Sequence, residues 1–147
     1  VIIDPGHGGR DLGAADSYVY EKHINLDVAR RLERALQQAG FKTIMTRTKD
    51  QFIALSERSS KANRYRNAIF VSVHFNSAYR TSAMGIETFY RSSNSEKFAQ
   101  LVQRELIKYA DSSFVKGMDD VIIAWNVFAD HYNRIAKELD QDQVSAQ

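Results

Sequence analysis

The sequence contains no cysteine and only one proline. Without thiols there is no disulfide framework and no thiolate zinc site, so any transition-metal centre must be built from histidine and carboxylate. Charge of one sign is also scarce. Twenty Lys and Arg stand against 18 Asp and Glu, a net charge of +2. That is too mild to argue for a nucleic-acid binder and supports only a mild attraction to anionic surfaces. No apolar run approaches the roughly 18 residues that a membrane-spanning helix requires. The His-Glu-x-x-His pattern of helix-borne zinc proteases is missing, as are internal repeats and low-complexity segments. What remains is ordinary for a globular protein: 44% hydrophobic and 26% charged residues in a chain of 147, enough for one domain with its own core.

The single proline falls in the opening run VIIDPGHGGRD. Val1–Asp4 is short, apolar and closed by Pro5-Gly6, as expected of a buried parallel strand. Ile24, Val28, Leu32, Leu36 and Ala39 recur at helical spacing over 22–39, and Gly40 supplies the stop. Phe41–Thr46 reads as a second strand, 55–66 as a polar helix with Leu55, Arg58, Ala62 and Tyr65 on one face, and Ala68–Val73 as a strand ending at His74. Gly85–Tyr90 alternates as a strand. Ser93-x-x-Glu96 resembles a capping box, and Phe98, Leu101, Val102, Leu106 and Tyr109 give the next helix its stripe. Val121, Trp125, Phe128, Tyr132, Ile135 and Leu139 predict a last helix, with a polar tail at 140–147. This order predicts a three-layer α/β sandwich: a mixed, mostly parallel central sheet flanked by helices. Because Val1 already belongs to a strand, the chain is expected to be a domain, 1–139, of a longer precursor.

Two of the four histidines, His7 and His74, directly follow buried-strand runs. Ligands of open α/β sheets bind beyond the carboxyl ends of the strands, so both imidazoles are expected on one edge. Glu21, just ahead of the first long helix, lies near the same edge. Two imidazoles and a carboxylate are a known zinc set with a fourth position open to water or substrate. Simpler readings exist: a hydrogen-bonded histidine after a strand, and a first-turn acid at a helix N-terminus. His23 and His131 read as solvated helix residues.

The stretches VIIDPGHGGRDLGA, EKHINLDVARRLERALQQAGFKTIMTR, ERSSKANRYRNAIFVSVHFNSA and GIETFYRSS resemble, in order and spacing, the zinc-dependent N-acetylmuramoyl-L-alanine amidases of bacterial cell-wall turnover. The resemblance runs from Val1 to about Tyr109. It implies one Zn²⁺ held by His7, Glu21 and His74, and peptidoglycan as the substrate. The implied reaction is hydrolysis of the amide between the lactyl group of N-acetylmuramic acid and L-Ala of the stem peptide. It also implies a place in the cell envelope, periplasmic or extracellular. Whether a protein activator takes part is not written in the sequence. Asn76, two residues beyond His74, is a candidate substrate contact beside its plainer reading as a strand-end residue. Arg10, Arg80 and Arg91 would suit stem-peptide carboxylates or simple solvation. The ten residues FNSAYRTSAM between His74 and Gly85 are too few for the occluding helix of some regulated members.

The match departs from the family late in the chain. Members carry a late strand followed by a Val-Glu-x-Gly-Phe-like segment, whose glutamate is the expected general base. That segment is not found, and two helices are expected to meet between about Asp111 and Asp120. Either a hidden gap in the chain, visible as a long Cα step, or a true variant would account for this. Glu87 is the remaining carboxylate near the metal edge, although an exposed strand face explains it as well. The catalytic expectation therefore stands beside two alternatives. One is a zinc-containing domain that binds peptidoglycan without cleaving it; the other is a hydrolase of a different peptide bond.

Overall fold

A computed structural model describes residues 1–15, 19–76, 85–110 and 122–127. Along the chain run β1 (Ile2–Pro5), α1 (Glu21–Gln38), β2 (Ile44–Met45), α2 (Leu55–Asn63), β3 (Phe70–Asn76), β4 (Gly85–Tyr90), α3 (Ser93–Ala110) and β5 (Ile122–Val127). The strands form one sheet in the order β2-β1-β3-β5-β4. β1 pairs in parallel with β2 and β3, and β4 pairs in parallel with β5. Only the β3–β5 junction is antiparallel, with His74 opposite Ala124.

Successive side chains of a strand leave opposite faces, and β1 shows what each face meets. Ile3 joins Met45 and Val73 against Leu26 and Ala29 of α1, with Val28, Leu32 and Leu36 packed around them. Ile2 joins Phe70 against Ala62 of α2. The two helices therefore cover opposite faces, which is the three-layer sandwich expected from the element order. It also explains why the VIID run has no polar alternation: β1 is buried on both sides.

Three expectations need correction. β2 shrinks to two residues, because Phe41 lies outside the sheet and is exposed. α2 ends at Asn63, before Tyr65. The helix expected from Val121 is instead, over Ile122–Val127, a strand inserted between β3 and β4. Its 3–4 spacing was compatible with a helix, but a short apolar run bounded by polar residues is equally compatible with a buried strand. Pairing on both edges settles it: residues 122–126 pair with β3 and 122–127 with β4. A late strand is thus present, and its sequence, IIAWNV, contains no glutamate. The expected absence of an occluding helix (77–84), the junction at 111–120 with its Cα step, the helix over 128–139 and the tail at 140–147 lie outside the described residues, as do Arg80 and His131.

Candidate metal centre

β1 and β3 run side by side in the same direction and deliver their ends to one edge of the sheet. His7 follows the end of β1, and His74 lies near the end of β3, two residues before Asn76. The first residue of α1, Glu21, is carried to the same edge by backbone hydrogen bonds from Glu21 to Ala14 and from Lys22 to Leu12. The ligand atoms of His7, Glu21 and His74 all lie within 4.8 Å of one another. Glu21 Oε2 is 3.2 Å from His7 Nε2, and Glu21 Oε1 is 3.0 Å from His74 Nδ1. The two imidazoles meet edge to face, with centroids 4.8 Å apart and planes at 81°.

Close approach of the rings depends on glycine. A Cβ at Gly6 would collide with the His74 ring, and one at Gly13 would press on His7 and Glu21. Gly13 has a further reason to be glycine, with φ at 68°. The Pro-Gly-His turn therefore does more than carry His7 to the sheet edge. Its glycine leaves the space that the second imidazole fills.

Each member of the triad is oriented by a further group. Asp11 Oδ1 lies 2.8 Å from His7 Nδ1, so Nε2 is left facing Glu21. Glu21 Oε1 accepts from the Phe75 amide at 3.0 Å and from Asn25 Nδ2 at 3.2 Å, while Oε2 accepts from the Ala14 amide at 2.7 Å. Burial opposes the charge of Glu21, yet the hydrogen bonds from His7, His74 and Ala14 prevail and hold its pKa well below the usual carboxylate range. Burial likewise opposes the imidazolium of His7, but the hydrogen bonds and charges of Glu21 and Asp11 outweigh it and raise its pKa above 6.5. The Gly8-Gly9 part of the turn is tied down from outside. Lys22 Nζ donates to Gly9 O at 2.8 Å and to Asp50 Oδ2 at 2.7 Å, and Asp50 Oδ1 accepts from the Gly9 amide at 2.7 Å.

The donor set fits a divalent ion of zinc's preferences. Nitrogen and oxygen ligands at zinc's bond lengths around a tetrahedron are separated by about 3.3 Å. The two ligand pairs, at 3.0 and 3.2 Å, both lie slightly below that value. The side chains of His7 and His74 are 23% and 17% exposed and that of Glu21 only 2%, so the cluster opens to solvent on its histidine side.

Comparison with known proteins decides the family. The N-acetylmuramoyl-L-alanine amidase family (Amidase_3) matches residues 1–129. The chain belongs to this family. Among its relatives, the N-acetylmuramoyl-L-alanine amidase LytC of Bacillus subtilis is 36% identical over 110 residues, 72% of this chain and 22% of LytC. The uncharacterized protein YqiI of the same organism is 39% identical over 111 residues, 73% of this chain and 53% of YqiI. The chain thus spans about half or less of these relatives. The catalytic domain of the amidase CwlV from Bacillus (Paenibacillus) polymyxa superposes with a TM-score of 0.72 at 26% identity, covering 92% of this chain and 90% of that one.

Within this amidase-family sheet the remaining candidates take definite places. Asn76 ends β3, exposed and two residues beyond His74. Glu87 and His74 are both in register with residue 124, so they share a sheet face and a level, two strands apart. Two strand spacings amount to about 10 Å. Glu87 is therefore outside the triad itself. Arg10 stacks its guanidinium 4.3 Å from the centroid of the Phe52 ring. Asp11, Asn25 and Asp50 contact the triad or its turn and were missed as such in the sequence. Only two carried a usable signal: Asp11 and Asn25 each lie four residues after a triad member.

Proposed function

We propose that the chain hydrolyses the amide joining the lactyl group of N-acetylmuramic acid to L-Ala of peptidoglycan stem peptides, in the cell envelope, using one zinc ion held by His7, Glu21 and His74. The observation that carries this reading is the convergence of the three side chains at one sheet edge in a member of the amidase family. Zinc bound there supplies Lewis acidity toward the amide carbonyl and an acidified water for attack. The chain's own residues set up that chemistry. Asp11 takes the Nδ1 proton of His7 as a hydrogen bond and thereby fixes the tautomer that offers Nε2. Glu21, kept ionised by its donors, brings the negative charge that a dication needs in a buried position.

Glu87, level with His74 and on its sheet face, is the carboxylate for proton transfer to the leaving amine, and Asn76 is a contact for the substrate backbone. No helix of the described residues is long and apolar enough to cross a membrane.

The test is a digest of purified muropeptides with parallel metal analysis. Amidase action releases peptides with free L-Ala amino termini and creates no new reducing sugar ends. Binding without release would instead mark a non-catalytic wall-binding domain, and cleavage within the stem peptide a different hydrolase. Glu87→Gln is expected to lower turnover by about 10²–10⁴-fold with zinc retained; full activity in that variant removes Glu87 from the mechanism.

A further inference from the structure

Three consecutive carbonyls of the turn that carries His7 are received by two buried guanidinium groups. Arg47 donates from Nε to Pro5 O at 2.9 Å and from Nη2 to Gly6 O at 2.8 Å. Arg58 donates from Nη1 to Pro5 O at 2.7 Å and from Nη2 to His7 O at 2.8 Å. Both arginines are almost fully buried, at 1% and 2% exposure. Each is anchored at its other side to a different element. Arg47 Nη2 also reaches Lys22 O in α1 at 2.8 Å, and Arg58 Nε reaches Ile53 O ahead of α2 at 2.9 Å.

His7 itself has φ at 59°, in the left-handed region that β-carbon-bearing residues rarely adopt. Holding a non-glycine residue there is strained and requires surroundings that over-determine it. The carbonyls on either side of such a residue turn in directions no regular element satisfies. Here the rigid forks of Arg47 and Arg58 satisfy them. The charge balance also needs a reason: the buried carboxylate of Asp4 pairs with Arg58 at 2.8 Å, whereas Arg47 gives its hydrogen bonds to backbone carbonyls. Buried charge is a weak source of stability compared with apolar packing. Carbonyl recognition is what these two arginines do that hydrocarbon would not.

We propose that Arg47 and Arg58 are positioning residues of the metal centre, a guanidinium clamp that locks His7 in its left-handed conformation and so aims Nε2 at Glu21. The proposal rests on the reading of His7 as a metal ligand. A purely architectural role for the same arginines makes a different prediction. Thr46 and Ser72 bind the same Asp4 carboxylate through their hydroxyls and donate to none of these turn carbonyls, so they report on the charge network alone.

The experiment measures zinc affinity by competition with a chromophoric chelator, together with amide hydrogen exchange at Gly8 in the metal-free chain. The Gly8 amide, bonded to Asp11 O at 2.9 Å, reports the turn directly. Arg58→Lys and Arg47→Lys keep the charge but replace the fork by one ammonium. Each is expected to weaken zinc binding about 10–100-fold, the range found for groups that orient metal ligands. Each is also expected to speed exchange at Gly8 with the circular dichroism spectrum unchanged. Thr46→Val is expected to lower the melting temperature and leave zinc affinity alone. Wild-type affinity and Gly8 protection in a folded lysine variant would overturn the clamp, as would an equal zinc loss in Thr46→Val. If the wild-type chain takes up no zinc, the metal reading fails separately and Gly8 exchange still judges the clamp. Should Arg58→Lys not fold, Arg47→Lys and Arg47→Gln carry the same readouts.

Discussion

Replacing Glu21 by glutamine keeps its shape and removes the one negative charge inside the triad. Zinc affinity is expected to collapse while the fold persists, and isothermal titration with saturating zinc checks it. The metal-free chain has a matching pH signature. Glu21 has its folded pKa lowered, so its contribution to stability is present above the ordinary value of 4.5 and is lost as pH falls through the lower folded value. His7 has its folded pKa raised, so its contribution is present below 6.5 and is lost as pH rises through the higher folded value. Urea denaturation of metal-free wild type against Glu21→Gln should therefore show the largest difference between those two pH values. Zinc uptake needs neutral imidazoles, so binding near pH 7 should release protons from His7, which buffer-dependent titration enthalpies would reveal. Gly6→Ala is the complementary test from the backbone side. Its added methyl meets the His74 ring, and loss of zinc with a retained fold is the expected outcome.

Elements differ in how openly the sequence announces them. α1 was legible almost to the residue, because its apolar stripe is long and a glycine follows it: 22–39 was expected and Glu21–Gln38 is observed. β1, β3 and β4 were legible from short apolar or alternating runs beside turn residues. β5 was not. VIIAWNV carries apolar residues at both helical and strand positions, and only its neighbours in the sheet choose between them. The packing that α1 and β1 create is testable in the same terms. Ile3 is fully buried against Leu26 and Ala29, so Ile3→Ala should cost about 2–5 kcal/mol in chemical denaturation. A loss under about 1 kcal/mol would mean that this interface is not packed as described.

For the whole molecule, a metal that binds only the folded chain must raise its stability. At a free zinc concentration a thousand times Kd the gain is about 4 kcal/mol, which thermal melts with and without a chelator would show as a higher midpoint. His74→Ala is expected to melt at the same temperature in both conditions.

The order of the first seven elements, the sandwich and the meeting of His7, Glu21 and His74 at one edge were legible in the sequence alone, because apolar periodicity marks those segments as strands and helices. Parallel strands then send their carboxyl ends, and the histidines that follow them, to one edge. Tertiary structure decided what local pattern does not encode. It inserted β5 between β3 and β4, and it left Glu87 two strands from His74. It also turned Arg47 and Arg58, ordinary surface residues by composition, into the buried receivers of the His7 turn. The arginine contacts join residues more than 40 positions apart. A carbonyl left without a donor in the interior is costly enough to draw even a charged side chain inward.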